Sequence, residues 1–440
     1  MLKNRKIIYK NFNKKNPQSV FEIVTDLITE KLDSDEILVK ISKAMIHPCD
    51  LGCASGYVNG IILPSGAGFE GLGIIKNVGI NLKKELYIGQ KVHVCATHVL
   101  DRWKLWKGVW CDYMILKENE IILIPQDIND ERAIQLFVNV MTPLAMVKEM
   151  NLKKGDILLQ TAANSVVGRV IIQLSKIYEF KTINIVRNKL AAINLCKKYN
   201  ISEVYVYSNN NHKKLFNSLS NKYNNVIIKY VIDSVSGNLG LMCWKLLSQN
   251  GVFYSYGALS GKHSLDINVV NDLCRNNKTL KGWSIQETWL RTKSNKEKLK
   301  IINEIWELFQ KGKLNLPTLG KTFELEQFQE ALIESQKPQK KGKITLISRF
   351  GHQNVEKFLP KLIRRIKKEG LNVIWSCDPM HGNTYKLKSG YKTRHFNTIV
   401  KEIEAFFNIH NDLGTIPGGV HLEFTGEHVT ECLGGADNII

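Results

Sequence analysis

The sequence predicts an α/β chain in three parts: a β-rich N-terminal lobe, a doubly wound parallel sheet, and a shorter C-terminal β-α-β-α-β run. Three observations predict it. Short apolar runs at strand spacing alternate with Gly-rich turns from about Val20 to Leu123. Strand-like and helix-like segments alternate from about Asp130, the pattern of a parallel sheet with crossover helices. A second alternation begins beyond about Gly342.

Length and composition agree with several packed domains. A chain of 440 residues exceeds one ordinary core, and a 44% hydrophobic fraction excludes bulk disorder. No run approaches the roughly 18 apolar residues of a membrane span. The basic start, MLKNRKIIYK, is not followed by an apolar region or cleavage site, so a secretory signal is not expected. Nine scattered cysteines do not form a disulfide framework. These features point to the cytoplasm, with no membrane partner. The net charge of +20 is spread along the chain and accompanies no zinc finger, RRM signature or basic-aromatic array. Nucleic acid is therefore not an expected partner. Such a field suits phosphorylated cofactors and acidic carriers.

In chain order, FEIVTD, EILVKISK, GFEGLGIIKNVG and KVHVCAT read as strands. ERAIQLFVNVMTPLAMVKEM reads as helix, GDILLQTA as a buried strand, VVGRVIIQLSKIY as helix and KTINIVRN as strand. VIDSVSG, a helix and GVFYSYGAL continue the series. ITLISRF then opens the last part. Its first helix, VEKFLPKLIRRIKKEG, carries an apolar face of Phe358, Leu359, Leu362, Ile363 and Ile366. LNVIWSCDP is a strand, FNTIVKEIEAFFNIH a second helix carrying Ile399, Ile403, Phe406 and Phe407, and PGGVHLEFTG a third strand.

The DILLQTA strand, the ANSVVG turn and the following helix form the first unit of a dinucleotide-binding (Rossmann) fold, with Asn164, Ser165 and Gly168 in the turn. Free N–H groups and the helix dipole at such a turn favour phosphate. Only Gly168 remains of the usual G-x-G-x-x-G, so an ordinary βα turn is the competing reading. Arg187 ends the next strand, where an acidic residue would bind a ribose 2′-hydroxyl; a guanidinium instead accommodates a 2′-phosphate. That favours NADPH over NADH.

HPCDLGCASGYVNG, GFEGLGIIKNVG, GVWCDYMIL, LFVNVMTPLAM and TAANSVVGRVIIQL with KTINIVRN resemble the zinc-independent medium-chain reductases, above all the 2-enoyl thioester reductases and quinone oxidoreductases. The resemblance spans roughly residues 18–346. It implies a GroES-like lobe over about 1–130, closed by about 310–343, and an NADPH-binding lobe over 131–310. It also implies a homodimer and a small-molecule or acyl-thioester substrate. Zinc-dependent relatives carry a His before the Glu of the GFEG turn; here Phe69 precedes Glu70, and the four-cysteine loop is missing. Cys49, Cys53, Cys95, His93 and His98 fit no standard tetrahedral spacing. The resemblance implies that Tyr57 is the catalytic phenol, though the spacing is one residue short of the family pattern. It places Asn139 and Thr142 near the nicotinamide, and Ser255, Tyr256 and Gly257 on the strand beside it. Trp110 and Trp283 are expected to pack the core or an acyl pocket.

SRFG, VIWSCDPMHGNT, GYKTRHF, PGGVHLEFTG and VTECLGG, from about 344 to 440, resemble the class II 3-deoxy-D-arabino-heptulosonate 7-phosphate (DAHP) synthases. These enzymes join phosphoenolpyruvate to erythrose 4-phosphate in the shikimate pathway. The resemblance covers only the last third to quarter of a (β/α)8 barrel. It implies that His381 and Glu423 are two ligands of a divalent metal, Mn2+ as a rule, and that Arg349 binds phosphoenolpyruvate. Lys392 and Arg394 are further phosphate candidates. The family's cysteine ligand has no counterpart here, and its aspartate ligand comes from a segment beyond Ile440. Three strands cannot close a barrel. Three readings follow: an NADPH-dependent reductase with a partial synthase domain, a synthase half completed by a partner chain, or a non-catalytic fusion remnant.

Overall fold

The computed structural model describes the chain except residues 59, 83–84, 96–106, 263, 337–343, 369–372, 388–391, 423–431 and 433–440. The chain divides into two compact units, Met1–Lys337 and Pro338–Ile440.

The first unit opens on a hairpin that sequence reading did not anticipate. Strand β1 (Leu2–Tyr9) pairs antiparallel with β2 (Phe21–Ile28) and, at its end, with the two-residue β4 (Ser65–Gly66). The basic composition of MLKNRKIIYK hid the strand. Its inward residues Ile7 and Tyr9 are buried, while Lys6 pairs across the hairpin with Asp26. A five-stranded antiparallel sheet follows, in the order β7-β3-β5-β6-β8. Its members are β3 (Glu36–Ala44), β5 (Glu70–Val78), β6 (Lys91–Cys95), β7 (Tyr113–Lys117) and β8 (Ile121–Leu123). Ile37, Val39, Ile75, Val92 and Val94 alternate into a shared core with Trp110, whose indole N–H donates to Met45 O at 2.9 Å.

The second sheet is parallel and six-stranded: β9 (Ile157–Gln160), β10 (Lys181–Val186), β11 (Val204–Val206), β12 (Ile228–Asp233), β13 (Val252–Ser255) and β14 (Thr279–Gly282). Its order, β11-β10-β9-β12-β13-β14, reverses direction between β9 and β12. That is the doubly wound dinucleotide-binding order, with a crevice at the switch point. Successive residues face opposite layers. Leu158, Ile232 and Tyr254 meet the helices Thr142–Met150, Val166–Ile177 and Asn295–Gln310. Leu159, Val231 and Phe253 meet His212–Lys222 and Gly237–Leu246. Trp283 and Trp306 fill the first layer.

The second unit pairs β15 (Ile344–Ser348), β16 (Val373–Cys377) and β19 (Pro417–Val420) in parallel; a two-residue hairpin, β17 (Tyr385–Lys386) and β18 (Lys392–Thr393), lies between β16 and β19 in sequence. The helices Val355–Lys368 and Phe396–Asp412 cover one face through Val355, Leu359, Ile363 and Phe406, against Trp375 and Cys377. One expected core residue is corrected. Phe358 is 41% exposed, because the helix turns Val355, Leu359 and Ile363 inward on a three-to-four-residue stripe.

Candidate functional site

Seven of the sequence-predicted residues lie at the C-terminal edge of the parallel sheet. Ser165 caps the Val166–Ile177 helix, its Oγ accepting from Gly168 N at 3.1 Å. This leaves the first-turn amides beside exposed Asn164. Gly168 is obligatory here, since a Cβ would stand 2.7 Å from Ala163 backbone atoms. Arg187 is exposed directly after β10; Ser255 ends β13, and Tyr256 and exposed Gly257 follow it. Between them, across the switch point, lies a link that sequence reading missed. Asp233, fully buried at the end of β12, accepts from Thr161 Oγ1 at 2.6 Å, Val235 N at 3.0 Å and Ser236 N at 2.9 Å. It holds the turn after β12 where Ser236 takes a left-handed φ of 63°.

Tyr57 lies in the other lobe, after the Pro48–Ala54 helix. It is 50% exposed, and the Lys14 ammonium stands 5.5 Å from its ring centre. Asn139 and Thr142 are buried in a π-helical turn, Leu136–Met141, and at the start of the next helix. Asn139 Nδ2 donates to Gln135 Oε1 at 3.3 Å, and Thr142 Oγ1 reaches Phe137 O at 3.5 Å.

A second missed group organises this region. Glu70, with no exposed surface, faces His47 Nε2 at 2.7 Å and His93 Nε2 at 3.0 Å. It also accepts the first amides of the π-helical turn, Phe137 N at 2.9 Å and Val138 N at 3.2 Å. One carboxylate therefore ties β5, β6 and the Pro48–Ala54 helix to the turn carrying Asn139. Burial pushes its carboxyl up, but the bonds to His47 and His93 outweigh that and hold it at about 2. Burial opposes an imidazolium at His47; Glu70 and Asp50 overcome this and raise its pKa. Burial pushes Asp50 up to about 7. Of the cysteines weighed as zinc ligands, burial pushes Cys53 up to about 12, and His98 lies outside the described residues.

In the second unit the loops after β15 and β16 bring Arg349 and His381 onto one carboxylate. Asp378, fully buried, takes Arg349 Nε at 2.6 Å and His381 Nδ1 at 2.8 Å on the same oxygen. Its other oxygen accepts Met380 N at 3.1 Å and His381 N at 3.2 Å. Burial raises the Asp378 carboxyl, but the His381 amide and ring outweigh it and hold it below the usual carboxylate range. This fixes the imidazole by its Nδ1, the arrangement that orients metal-bound histidines. Arg394 Nε donates to Met380 O at 2.8 Å, so this guanidinium also sits on the loop, whereas Lys392 is exposed in the β17–β18 hairpin. Glu423 lies outside the described residues. Among the described residues no three His, Cys, Asp or Glu side chains are placed to hold a metal.

Comparison with known proteins assigns these parts. Residues 33–126 match the alcohol dehydrogenase GroES-like domain, 205–346 the zinc-binding dehydrogenase family, and 318–440 the class-II DAHP synthetase family. In solved structures, a Bacillus thuringiensis protein assigned as an NADPH:quinone reductase superimposes with a TM-score of 0.66 at 26% identity, covering 77% of this chain and 97% of that one. The Candida tropicalis mitochondrial 2-enoyl thioester reductase heterodimer gives 0.64 at 20% identity, covering 77% and 98%. The phospho-2-dehydro-3-deoxyheptonate aldolase AroG of Mycolicibacterium smegmatis is 55% identical over 98 residues, 22% of this chain and 21% of that one. Its Streptomyces coelicolor counterpart is 46% identical over 114 residues, 25% of each chain. The chain thus spans a fifth to a quarter of the length of these curated relatives. No described helix is long and apolar enough to cross a membrane. The chain therefore carries an alcohol dehydrogenase GroES-like domain and a zinc-binding dehydrogenase domain, has over these parts the fold of the quinone and enoyl thioester reductases, and ends in a region of the class II DAHP synthetase family.

Proposed function

We propose that the first unit is an NADPH-dependent, zinc-independent reductase of enoyl thioesters or quinone-like substrates, acting as a cytoplasmic homodimer. The observation that carries this is the pairing of a capped helix N-terminus at Ser165–Gly168 with an exposed guanidinium at Arg187, on adjacent strands of the sheet. Bound there, NADPH supplies a hydride. The first-turn amides of the Val166–Ile177 helix hold the pyrophosphate, and Arg187 holds the 2′-phosphate. Ser255, Tyr256 and Gly257 line the way to the nicotinamide end, and Glu70 fixes the turn that presents Asn139. Without a metal, the substrate carbonyl is polarised by donors, a role for the Tyr57 phenol, which hydrogen-bonds the developing oxyanion or protonates the α-carbon. The Phe69–Glu70 sequence and the engagement of Glu70 by His47 and His93 support the zinc-independent reading.

The test is NADPH oxidation by the purified chain with crotonyl-CoA and with 1,4-benzoquinone. Turnover of either supports the reading; turnover of neither, with no calorimetric heat for NADPH, overturns it.

The Arg349–Asp378–His381 group favours a second reading, in which the second unit binds a phosphorylated carboxylate such as phosphoenolpyruvate. Synthase activity would then need a partner chain to complete the barrel and the Mn2+ ligands. Manganese-dependent heptulosonate phosphate formation by this chain alone would show that no partner is required. A chain that neither binds phosphoenolpyruvate nor gains activity on mixing with a complementary synthase fragment would leave the non-catalytic remnant.

A further inference from the structure

The two loops that carry Arg349 and His381 are held together from beneath by a residue with no assigned role. Glu402, on the Phe396–Asp412 helix, has no exposed surface. Its Oε1 accepts Phe350 N at 3.2 Å and Gly351 N at 2.9 Å, and its Oε2 accepts Asn383 Nδ2 at 2.7 Å. Asn383 extends the link, donating also to Pro379 O at 2.8 Å and accepting His352 N on Oδ1 at 3.0 Å. The loops also touch backbone to backbone: a Cβ on Gly351 would stand 2.5 Å from Gly382 O.

The donors around Glu402 demand a carboxylate. All three named partners are N–H groups, so both oxygens must accept. A glutamine would turn an NH2 group either on Asn383 Nδ2 or on the Phe350–Gly351 amides, donor against donor. Asn383 cannot relieve this by flipping its amide without losing both Pro379 O and His352 N. Removing a buried acceptor here leaves donors unsatisfied, which is costlier than losing an exposed bond. The strain would fall on the loops, because helix and strands are fixed by the Val355–Ile363–Trp375–Phe406 core.

We propose that Glu402 is a positioning residue: through Asn383 and the Phe350–Gly351 amides it sets the separation of the Arg349 guanidinium and the His381 imidazole, and with it this unit's grip on a phosphorylated carboxylate. The anion-binding half of the statement rests on the second reading above; the geometric half does not.

The test uses the full chain and phosphoenolpyruvate as probe, without metal. Calorimetry gives the affinity, and 15N-histidine spectra, assigned with His381→Gln, give the Nδ1 signal of His381. Glu402→Gln should weaken phosphoenolpyruvate about tenfold and move the His381 Nδ1 signal. A structural role alone predicts a lower melting temperature with no shift of the His381 signal. Should Glu402→Gln not fold, Asn383→Ser breaks the link from its other end and is read in the same way. Unchanged affinity and an unmoved His381 signal overturn the proposal, as does weakened affinity with an unmoved His381 signal. If the native chain does not bind phosphoenolpyruvate, the anion reading falls, and the His381 signal alone decides whether Glu402 positions it.

Discussion

Replacing Glu70 with Gln removes the charge that joins the two lobes of the first unit. The carboxyl is held at about 2 against an ordinary 4.5, and at about 1.4 kcal/mol per pH unit the buried interactions stabilise the fold by about 3 kcal/mol. Breaking a buried pair by removing one partner costs about 3–5 kcal/mol, the same range. For a unit of 337 residues, at about 2.1 cal/mol/K per residue, the unfolding entropy is about 0.7 kcal/mol/K and the expected drop in melting temperature about 4 °C. The pH dependence separates this charge effect from simple loss of packing. Glu70 has a depressed pKa, so its contribution is complete above about 4.5 and disappears as pH falls towards about 2. His47 has a raised pKa, so its contribution is complete below its unfolded value of about 6.5 and is lost as pH rises through the folded value. Asp50 is present in both proteins and, to first order, drops out of the difference. The gap between native chain and variant should therefore be widest from about pH 4.5 to 6.5 and narrow on both sides. Scanning calorimetry of both proteins from acid to weakly alkaline pH measures it. A drop below about 1 °C, or a gap that stays constant with pH, would refute the charged-hub account.

Three further outcomes concern cofactor and catalysis. Arg187→Ala should weaken NADPH about tenfold in calorimetry while leaving NADH nearly untouched, because only the 2′-phosphate loses its partner; equal loss for both nucleotides contradicts the assignment. Tyr57→Phe should reduce crotonyl-CoA-dependent NADPH oxidation by about 10²-fold or more without changing the NADPH dissociation constant, and an unaltered rate removes the phenol from the chemistry. Gly168→Ala places a methyl 2.7 Å from Ala163 backbone, so it should destabilise the fold by about 1–3 kcal/mol and weaken NADPH; a melting curve like that of the native chain would show that the turn yields.

What the sequence made legible was local. The alternation of ILLQ, VVGRVIIQLSKI and KTINIV is a property of neighbouring residues, and it predicts the β9–helix–β10 unit because periodicity of burial is the main signal of secondary structure. Strand β1 escaped for the same reason in reverse. LKNRKIIY carries Lys3, Arg5 and Lys6, with Arg5 paired to Asp112 and Lys6 to Asp26, and their charge masked a half-buried strand. Phe358 was misplaced because every large apolar residue of its helix was assigned to one face, although the helix is wide enough to leave one out.

The groups that sequence reading missed share a physical character. Glu70 reaches Phe137 across 67 residues, Thr161 reaches Asp233 across 72, and Glu402 reaches Gly351 across 51. Each is a fully buried carboxylate whose partners include backbone amides, and an amide carries no side-chain signature in the sequence. Each also holds a loop or turn that bears a candidate functional residue: Asn139 beside Phe137, the Ser236 turn beside the dinucleotide crevice, and Arg349 with His381. A buried carboxylate is expensive to desolvate and is matched here by hydrogen bonds to otherwise unpaired N–H groups. Apolar packing could replace its bulk, but it could not satisfy those amides. The motifs thus supply the candidate functional residues, while the carboxylates beneath them hold the loops and turns that bear those residues. That second layer becomes visible only when strands distant in sequence are brought side by side.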